Sequence, residues 1–321
     1  MSRKIVNAVG TAFLVAALAS AIAAIKAAEI GVIHGTDQFE FTYRVKLPEL
    51  ATQAQLWVPL AKSDAFQTVK VEAIAVPGRY REVRDRDYGN RILVLTPTPD
   101  DGGKIIEVKY NVRRAEKSAF VSEDKDPLRY LKPERLVPIN ATFKSIAEQA
   151  TRGKSDALGK ARALYDHVLS RMQYDKTGTG WGRGDAVYAC DARAGNCTDF
   201  HAYFIALARS IGIPARFAIG YTIPADRDEG EISGYHCWAE FFAAGKWVPV
   251  DISEASRNPE LAGYYFGHHP ANRFEVTRGR DLVVEPAPVS SPINFLVYPL
   301  LEIDGRIVKM ENVFSFRRIK S

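Results

Sequence analysis

Three side chains in this sequence are spaced so that they could make a thiol nucleophile with its base and its orienting acid. Cys197 lies in Gly195-Asn196-Cys197-Thr198-Asp199-Phe200. Asn196 is a good helix N-cap, and Asp199 three positions on nearly completes a capping box. Phe200, Tyr203, Phe204, Leu207, Ala208 and Ile211 then form one apolar stripe that Gly212 closes. Cys197 therefore falls in the first turn of an amphipathic helix, where free N–H groups and the helix dipole favour a thiolate. His236 sits in a strand-like run, Ser233 to Phe242, and a second run follows from Lys246 to Ile252. Ala243-Ala244-Gly245 between them reads as a hairpin turn. A turn centred between Ala243 and Ala244 sets His236 opposite Asp251 on one face. Cysteine, histidine and aspartate in that order suit acyl transfer, as nucleophile, base and orienter.

Those blocks, with Gly212-Ile213-Pro214-Ala215-Arg216, Tyr235-His236-Cys237-Trp238 and Trp247-Val248-Pro249-Val250-Asp251, resemble the core of the transglutaminase-like superfamily, and its exported bacterial members most of all. The resemblance spans residues 140–260. It implies an α+β, papain-like fold with a nucleophile helix packed on an antiparallel sheet, and it assigns the triad to Cys197, His236 and Asp251. The superfamily holds protein crosslinkers, peptidases and deamidating enzymes. The expected activity is thiol-dependent acyl transfer on amide bonds of peptides or proteins, with water as the usual acceptor. A glutamine-crosslinking transglutaminase and a catalytically silent binding module of the cell envelope are the alternatives. No cofactor and no metal are implied.

The whole chain sets the frame. Its 321 residues allow two domains. Arg3 and Lys4 precede an uncharged apolar run from Ile5 to Ile25, so residues 1–28 read as an export signal or an uncleaved N-terminal anchor. Either places the protein in the periplasm or outside the cell, with membrane contact only if the segment is retained. Arg3, Lys4 and Lys26 supply three units of the formal +5, leaving +2 on the rest, which gives no argument for nucleic acid. Three cysteines suit an exported protein with one free catalytic thiol and at most one disulfide.

Elements must then position the three side chains. Residues 29–115 alternate as strands around Phe39 to Tyr43, Gln55 to Val58, Thr68 to Val71, Arg91 to Leu95 and Lys104 to Val112. They read as a small N-terminal β-sandwich. Arg81 to Asp87 reads as a solvated strand face or loop. A charged, proline-bearing connector covers 116–139, the catalytic domain 140–275, and a C-terminal β extension of that domain 276–321. Helices are expected from Ala141 to Ala150 and from Ser155 to Met172, a strand from Arg216 to Ile223, and a hairpin about Asp304-Gly305. The glycine-rich run Gly178 to Gly184 reads as a mobile loop beside the site, because no strand precedes it as a dinucleotide loop requires.

The remaining candidates are subsidiary. The Cys197 N–H is the natural first donor of an oxyanion hole. Asn196, Trp181, Tyr235, Trp238 and His201 are candidates for the second donor or the cleft wall. His201, four residues after Cys197 on the helix, is a rival base without an evident orienting carboxylate. Cys237 follows His236 on a strand and is expected to face away from the site, while Cys190 is expected in the loop before the nucleophile. That leaves either a Cys190–Cys237 disulfide or two buried thiols. A zinc site fails on spacing. The Asp226 to Glu231 loop lacks the order of a calcium loop, and His268-His269 reads as a cap or loop lining.

Overall fold

A computed structural model describes residues 31–122 and 126–319. The proposed export segment, residues 1–28, lies outside them. Among the described residues, no helix is long and apolar enough to cross a membrane. The architecture is α+β. Its N-terminal strands are β1 (Thr36–Lys46), β2 (Ala54–Leu60), β3 (Gln67–Ala75), β4 (Tyr80–Arg84), β5 (Arg91–Leu95) and β6 (Ile105–Ala115). Two sheets hold them. One runs β10-β16-β1-β6-β3, the other β15-β14-β2-β5-β4, where β10 is Glu229–Glu231, β14 is Leu300–Ile303, β15 is Arg306–Val308 and β16 is Glu311–Arg318. Strict alternation in β1 buries Phe39, Phe41, Tyr43 and Val45 and turns the intervening residues outward.

The C-terminal strands correct the expected division of the chain. β16 pairs antiparallel with β1, Phe39 against Arg318 through to Lys46 against Glu311, and β14 pairs with β2. Residues 300–318 therefore complete the N-terminal sandwich and do not extend the catalytic domain. Burial explains it: Phe314 stacks on Tyr43 at 4.9 Å and meets Tyr221 at 4.7 Å, filling the gap between the sandwich and the second half. The Asp304-Gly305 hairpin forms as expected, between β14 and β15.

The second half is built on a four-stranded antiparallel sheet, β12-β11-β9-β13, made of Lys246–Val250, His236–Ala243, Ala215–Thr222 and Arg273–Arg278 respectively. Short strands β7 (Gln173–Tyr174) and β8 (Ala194–Gly195) pair in parallel beside it. Five α-helices occur among the described residues: α1 (Ala141–Ala150), α2 (Ala157–Arg171), α3 (Ala186–Ala192), α4 (Cys197–Ser210) and α5 (Ile252–Arg257). α4 is buried along its length and packs its Phe204 ring on Phe241 of β11. It is the central helix of the second half, wedged between the sheet and helices α1 to α3. Residues of both halves join in one core, where Phe274 of β13 lies 4.8 Å from Phe41 of β1.

Two short helices escape a periodicity reading. α3 places Cys190 on a helix and not in a loop; Asp185 caps it by accepting from Val187 N and Tyr188 N. Seven residues hold too few turns to show an apolar stripe. α5 is shorter still.

Candidate active site

The nucleophile end is set locally. Asn196 takes extended backbone and its Oδ1 accepts from Thr198 N at 2.9 Å. The Asp199 carboxylate returns to Asn196 N at 2.9 Å, completing the capping box. Asp199 does more than cap. Its Oδ2 also accepts from Gly182 N at 2.7 Å, and its Oδ1 from Gly184 N at 3.0 Å. From the other side, Arg280 donates to the Gly184 and Arg183 carbonyls at 2.6 and 3.1 Å. The glycine-rich run expected to be mobile is thus tied to the helix start by buried, charged partners. Gly195 has φ of 151°, and a Cβ there would collide with the Asp199 side chain, so the approach demands glycine.

The base end differs in register from the sequence expectation. Ala244 and Gly245 form the two-residue turn, with φ of 49° and 76°, as a type I′ hairpin requires. Ala243 pairs with Lys246 and Ala239 with Val250, where the ladder ends. A turn centred one residue later slides the pairing by two, so His236 does not stand directly opposite Asp251. Side-chain parity is unchanged, and the two remain on one face as diagonal neighbours. Asp251 leaves the strand and becomes the N-cap of α5, its Oδ1 accepting from Glu254 N and from Ser253 Oγ, each at 3.1 Å. Its Oδ2 meets His236 Nε2 at 2.6 Å and Arg273 Nη2 at 3.3 Å. With Nε2 engaged, Nδ1 is the ring nitrogen left for Cys197.

The electrostatics follow from those contacts. Burial alone would push the Cys197 thiol up, yet hydrogen bonds from Cys237 and His236 and the charge on His236 bring it down to about 6. Burial would lower His236, but the Asp251 carboxylate beside it raises the imidazole to about 10. Burial also opposes ionisation of Asp251, and His236 and Arg273 together hold it well below the usual carboxylate range. These shifts favour a thiolate beside an imidazolium near neutral pH.

Cys237 is a second correction. It lies on the α4 face of β11, in hydrogen-bonding contact with Cys197, and its Sγ is 3.6 Å from His201 Nδ1. The strand does alternate, but the N-terminus of α4 crosses above Cys237 while the His236 imidazole, at the strand end, turns toward the same thiol. All three cysteines are free. Of the two alternatives for Cys190 and Cys237, the bridge is not formed, because α4 separates the two thiols. Cys190 lies against Tyr203, whereas Cys237 lies against His201, and two helical positions span about 200°.

His201 is fully buried and structural. Its Nδ1 donates to the Cys197 carbonyl at 2.8 Å, and its Nε2 accepts from Ile252 N at 3.1 Å, joining α4 to α5. Burial lowers its pKa to about 4, so it is neutral and both nitrogens are engaged. His269 is likewise buried, and Trp238 packs on it with ring centroids 5.6 Å apart. The groove over the site encloses about 790 Å³, with His236, Tyr235, Tyr174, Glu254, Arg257 and Lys176 in its wall. Of the five cleft candidates, Tyr235 alone lines it. Trp238 is buried, and Trp181 belongs to the tethered loop and is not in the groove wall. Asn196 acts from beneath, donating its Nδ2 to the Tyr235 hydroxyl at 3.0 Å. Among the described residues there is no cluster of three or more His, Cys, Asp or Glu that could hold a metal.

Sequence reasoning missed Arg273, Glu254 and Arg280. Glu254 left a signal: Asp251-Ile252-Ser253-Glu254 has capping-box spacing and announces the helix that lifts Asp251 off its strand. Arg273 and Arg280 left none, because their partners lie 22 and 96 residues away.

A helix-borne thiol, a strand-borne imidazole and a capping carboxylate over an antiparallel sheet define a transglutaminase-like fold. Residues 144–252 match the model of the transglutaminase-like superfamily core. An uncharacterized Haemophilus influenzae protein is 27% identical, over 84% of this chain and 86% of its own length. The uncharacterized protein YebA of Bacillus subtilis is 25% identical over 131 residues, 36% of this chain and 18% of that one. Among solved structures, a candidate cysteine protease from Cytophaga hutchinsonii superposes with a TM-score of 0.61 at 15% identity, over 89% of this chain and 92% of that one. At that identity the likeness speaks for the fold alone.

Proposed function

We propose that this protein is a thiol hydrolase of peptide or protein amides, with Cys197 as nucleophile, His236 as acid and base and Asp251 as orienter. The observation that carries the reading is the Asp251–His236 hydrogen bond with Cys197 beside the same imidazole, an arrangement that favours a thiolate–imidazolium pair, with His236 standing in the wall of an open groove. The Cys197 thiolate attacks the amide carbon, forming the C–S bond and an oxyanion. Collapse breaks the C–N bond, and the leaving nitrogen takes the proton from His236 Nδ1. Water then gives a proton back to Nδ1 as it attacks the thioester, and the C–S bond breaks. Asp251, itself held by Arg273, fixes the ring through Nε2 and leaves Nδ1 for the sulfur.

Water is favoured over an amine as acceptor by the character of the groove. Charged residues border it, Lys176, Asp226, Arg227, Glu231, Glu254 and Arg257, whereas an amine tunnel needs apolar walls that exclude water. Export through residues 1–28 belongs to the same reading and is checked by fractionating cells that express the full chain. The activity test offers a glutamine-bearing peptide with excess primary amine at neutral pH and follows free acid and amine adduct. Free acid outrunning adduct supports the hydrolase; adduct outrunning acid makes the protein a crosslinking transglutaminase. A thiol-reactive probe provides the complementary test. His236→Ala should return the thiol toward its ordinary pKa and slow labelling about 10²-fold at pH 7. A wild-type thiol no more reactive than free cysteine would leave a silent binding module instead.

A further inference from the structure

Attack on a carbonyl places negative charge on its oxygen, and that oxygen needs donors aimed at it before the reaction starts. The Cys197 N–H is in the first turn of α4, and among the described residues no acceptor takes it. One donor is therefore free. The second is the question.

Tyr235 precedes His236 in the chain and lines the same groove. Its hydroxyl oxygen accepts from Asn196 Nδ2 at 3.0 Å, and Asn196 is the residue before the nucleophile. The phenol oxygen is thus bracketed between the chain neighbours of the thiol and of the imidazole. Because the oxygen is the acceptor in that bond, its own proton remains to be donated, either to the neighbouring Thr198 hydroxyl oxygen or to an oxygen in the groove. The ring is held in place. Tyr235 N donates to the Tyr298 hydroxyl at 3.0 Å, and the ring meets Tyr298 edge-on with centroids 5.7 Å apart. Burial, with the Cys197 thiolate nearby, holds the phenol protonated far above neutral pH. The rival donor Trp238 Nε1 is sealed from the groove with its ring against His269.

We propose that the Tyr235 hydroxyl is the second oxyanion donor, acting with the Cys197 N–H, and that Asn196 is the positioning residue that holds it there. The proposal rests on Cys197 being the nucleophile. Asn196 then serves both ends of the device, its Oδ1 capping Thr198 N and its Nδ2 fixing the phenol.

The test separates oxyanion stabilisation from thiol activation by using two reagents on the full chain. Acylation by p-nitrophenyl acetate passes through an oxyanion; alkylation by iodoacetamide displaces iodide and does not. Cys197→Ala defines the background for both. In Tyr235→Phe, which keeps the ring and its packing, acylation should fall about 10²–10³-fold while alkylation stays within about threefold. Acylation within about threefold of wild type would overturn the donor role. Equal losses in both reactions would also overturn it, since the hydroxyl would then be acting on the thiol. Wild-type alkylation no faster than that of free cysteine would count against Cys197 as nucleophile, a different failure from either of these.

Discussion

Strand β11 carries two buried charge networks four residues apart on one face, and only one of them faces a groove. At its start His236 meets Asp251 at 2.6 Å, with Arg273 behind the same carboxylate oxygen. In its middle Glu240 takes Lys117 Nζ at 2.8 Å on one oxygen and Arg216 Nε at 2.7 Å on the other. In both, burial opposes ionisation of the carboxylate and cationic neighbours overcome it. The surroundings differ. Lys117 lies over the Phe66 and Phe120 rings, and the Arg216 guanidinium stacks 3.9 Å from the centre of a Trp247 ring. That network is closed by aromatic walls between the sandwich and the four-stranded sheet. His236 instead has one nitrogen on Asp251 and the other toward a thiol, at the edge of open space. Buried charge becomes chemistry where one partner keeps a face toward a substrate; elsewhere it holds the halves together.

Substitutions should separate the two networks. The largest effect belongs to the thiol: Cys197→Ala should remove turnover, roughly 10⁵–10⁶-fold, while the thermal midpoint moves little, as measured by peptide hydrolysis beside a melting curve. Asp251→Asn should follow at about 10⁴-fold in kcat, since an amide no longer favours the charged ring or selects its orientation. Near-wild-type activity in that variant would show that Arg273 and the strand suffice to hold His236. Glu240→Ala should invert the pattern. It leaves Lys117 and Arg216 buried without their carboxylate, which costs about 3–5 kcal/mol in denaturant unfolding, and iodoacetamide should still find a fast thiol in the folded fraction. A stable but unreactive Glu240→Ala protein would mean that the two networks are one.

Titration gives the next contrast. The Cys197 thiol ionises at about 6, so alkylation should rise as pH increases through 6 and then level. Turnover needs the proton on His236 and should fall only as pH climbs through about 10. The sealed network responds at the acid end. Burial disfavours the charged Glu275, but Arg278 and Lys117 bring it down to about 2 from an ordinary 4.5. A depressed carboxylate stabilises the fold fully above pH 4.5 and loses that contribution as pH falls toward 2. Acid unfolding beginning below pH 4.5, well after alkylation has faded, is the expected order. The smallest effect is expected at Cys237. Cys237→Ala removes the thiol that hydrogen-bonds Cys197, so the alkylation midpoint should move upward by about one pH unit or less, with the acid limb of the profile otherwise intact.

Legibility followed sequence separation. The cap of α4 was readable because Asn196 and Asp199 are three residues apart and the bonds they make are the helix's own. The hairpin was readable as a hairpin, yet its register depended on whether Ala243 or Ala244 opened the turn. A left-handed alanine at 244 is a choice that local propensity does not announce. The glycine-rich loop looked free because its restraints come from Asp199 and Arg280, 15 and 96 residues beyond Gly184.

By itself the sequence determined what the near neighbours in the chain decide: a cysteine at a capped helix start, a histidine on a strand, an aspartate on the same face after a tight turn, and the family those blocks resemble. Tertiary structure alone decided the rest. It moved Asp251 from ladder to helix cap and brought Arg273 behind it. It turned Cys237 toward the thiol, and returned residues 311–318 to pair with β1 across more than 250 positions. Such contacts are selected by which surfaces are buried when the whole chain packs, and an apolar alternation says that a strand will bury one face without saying against what.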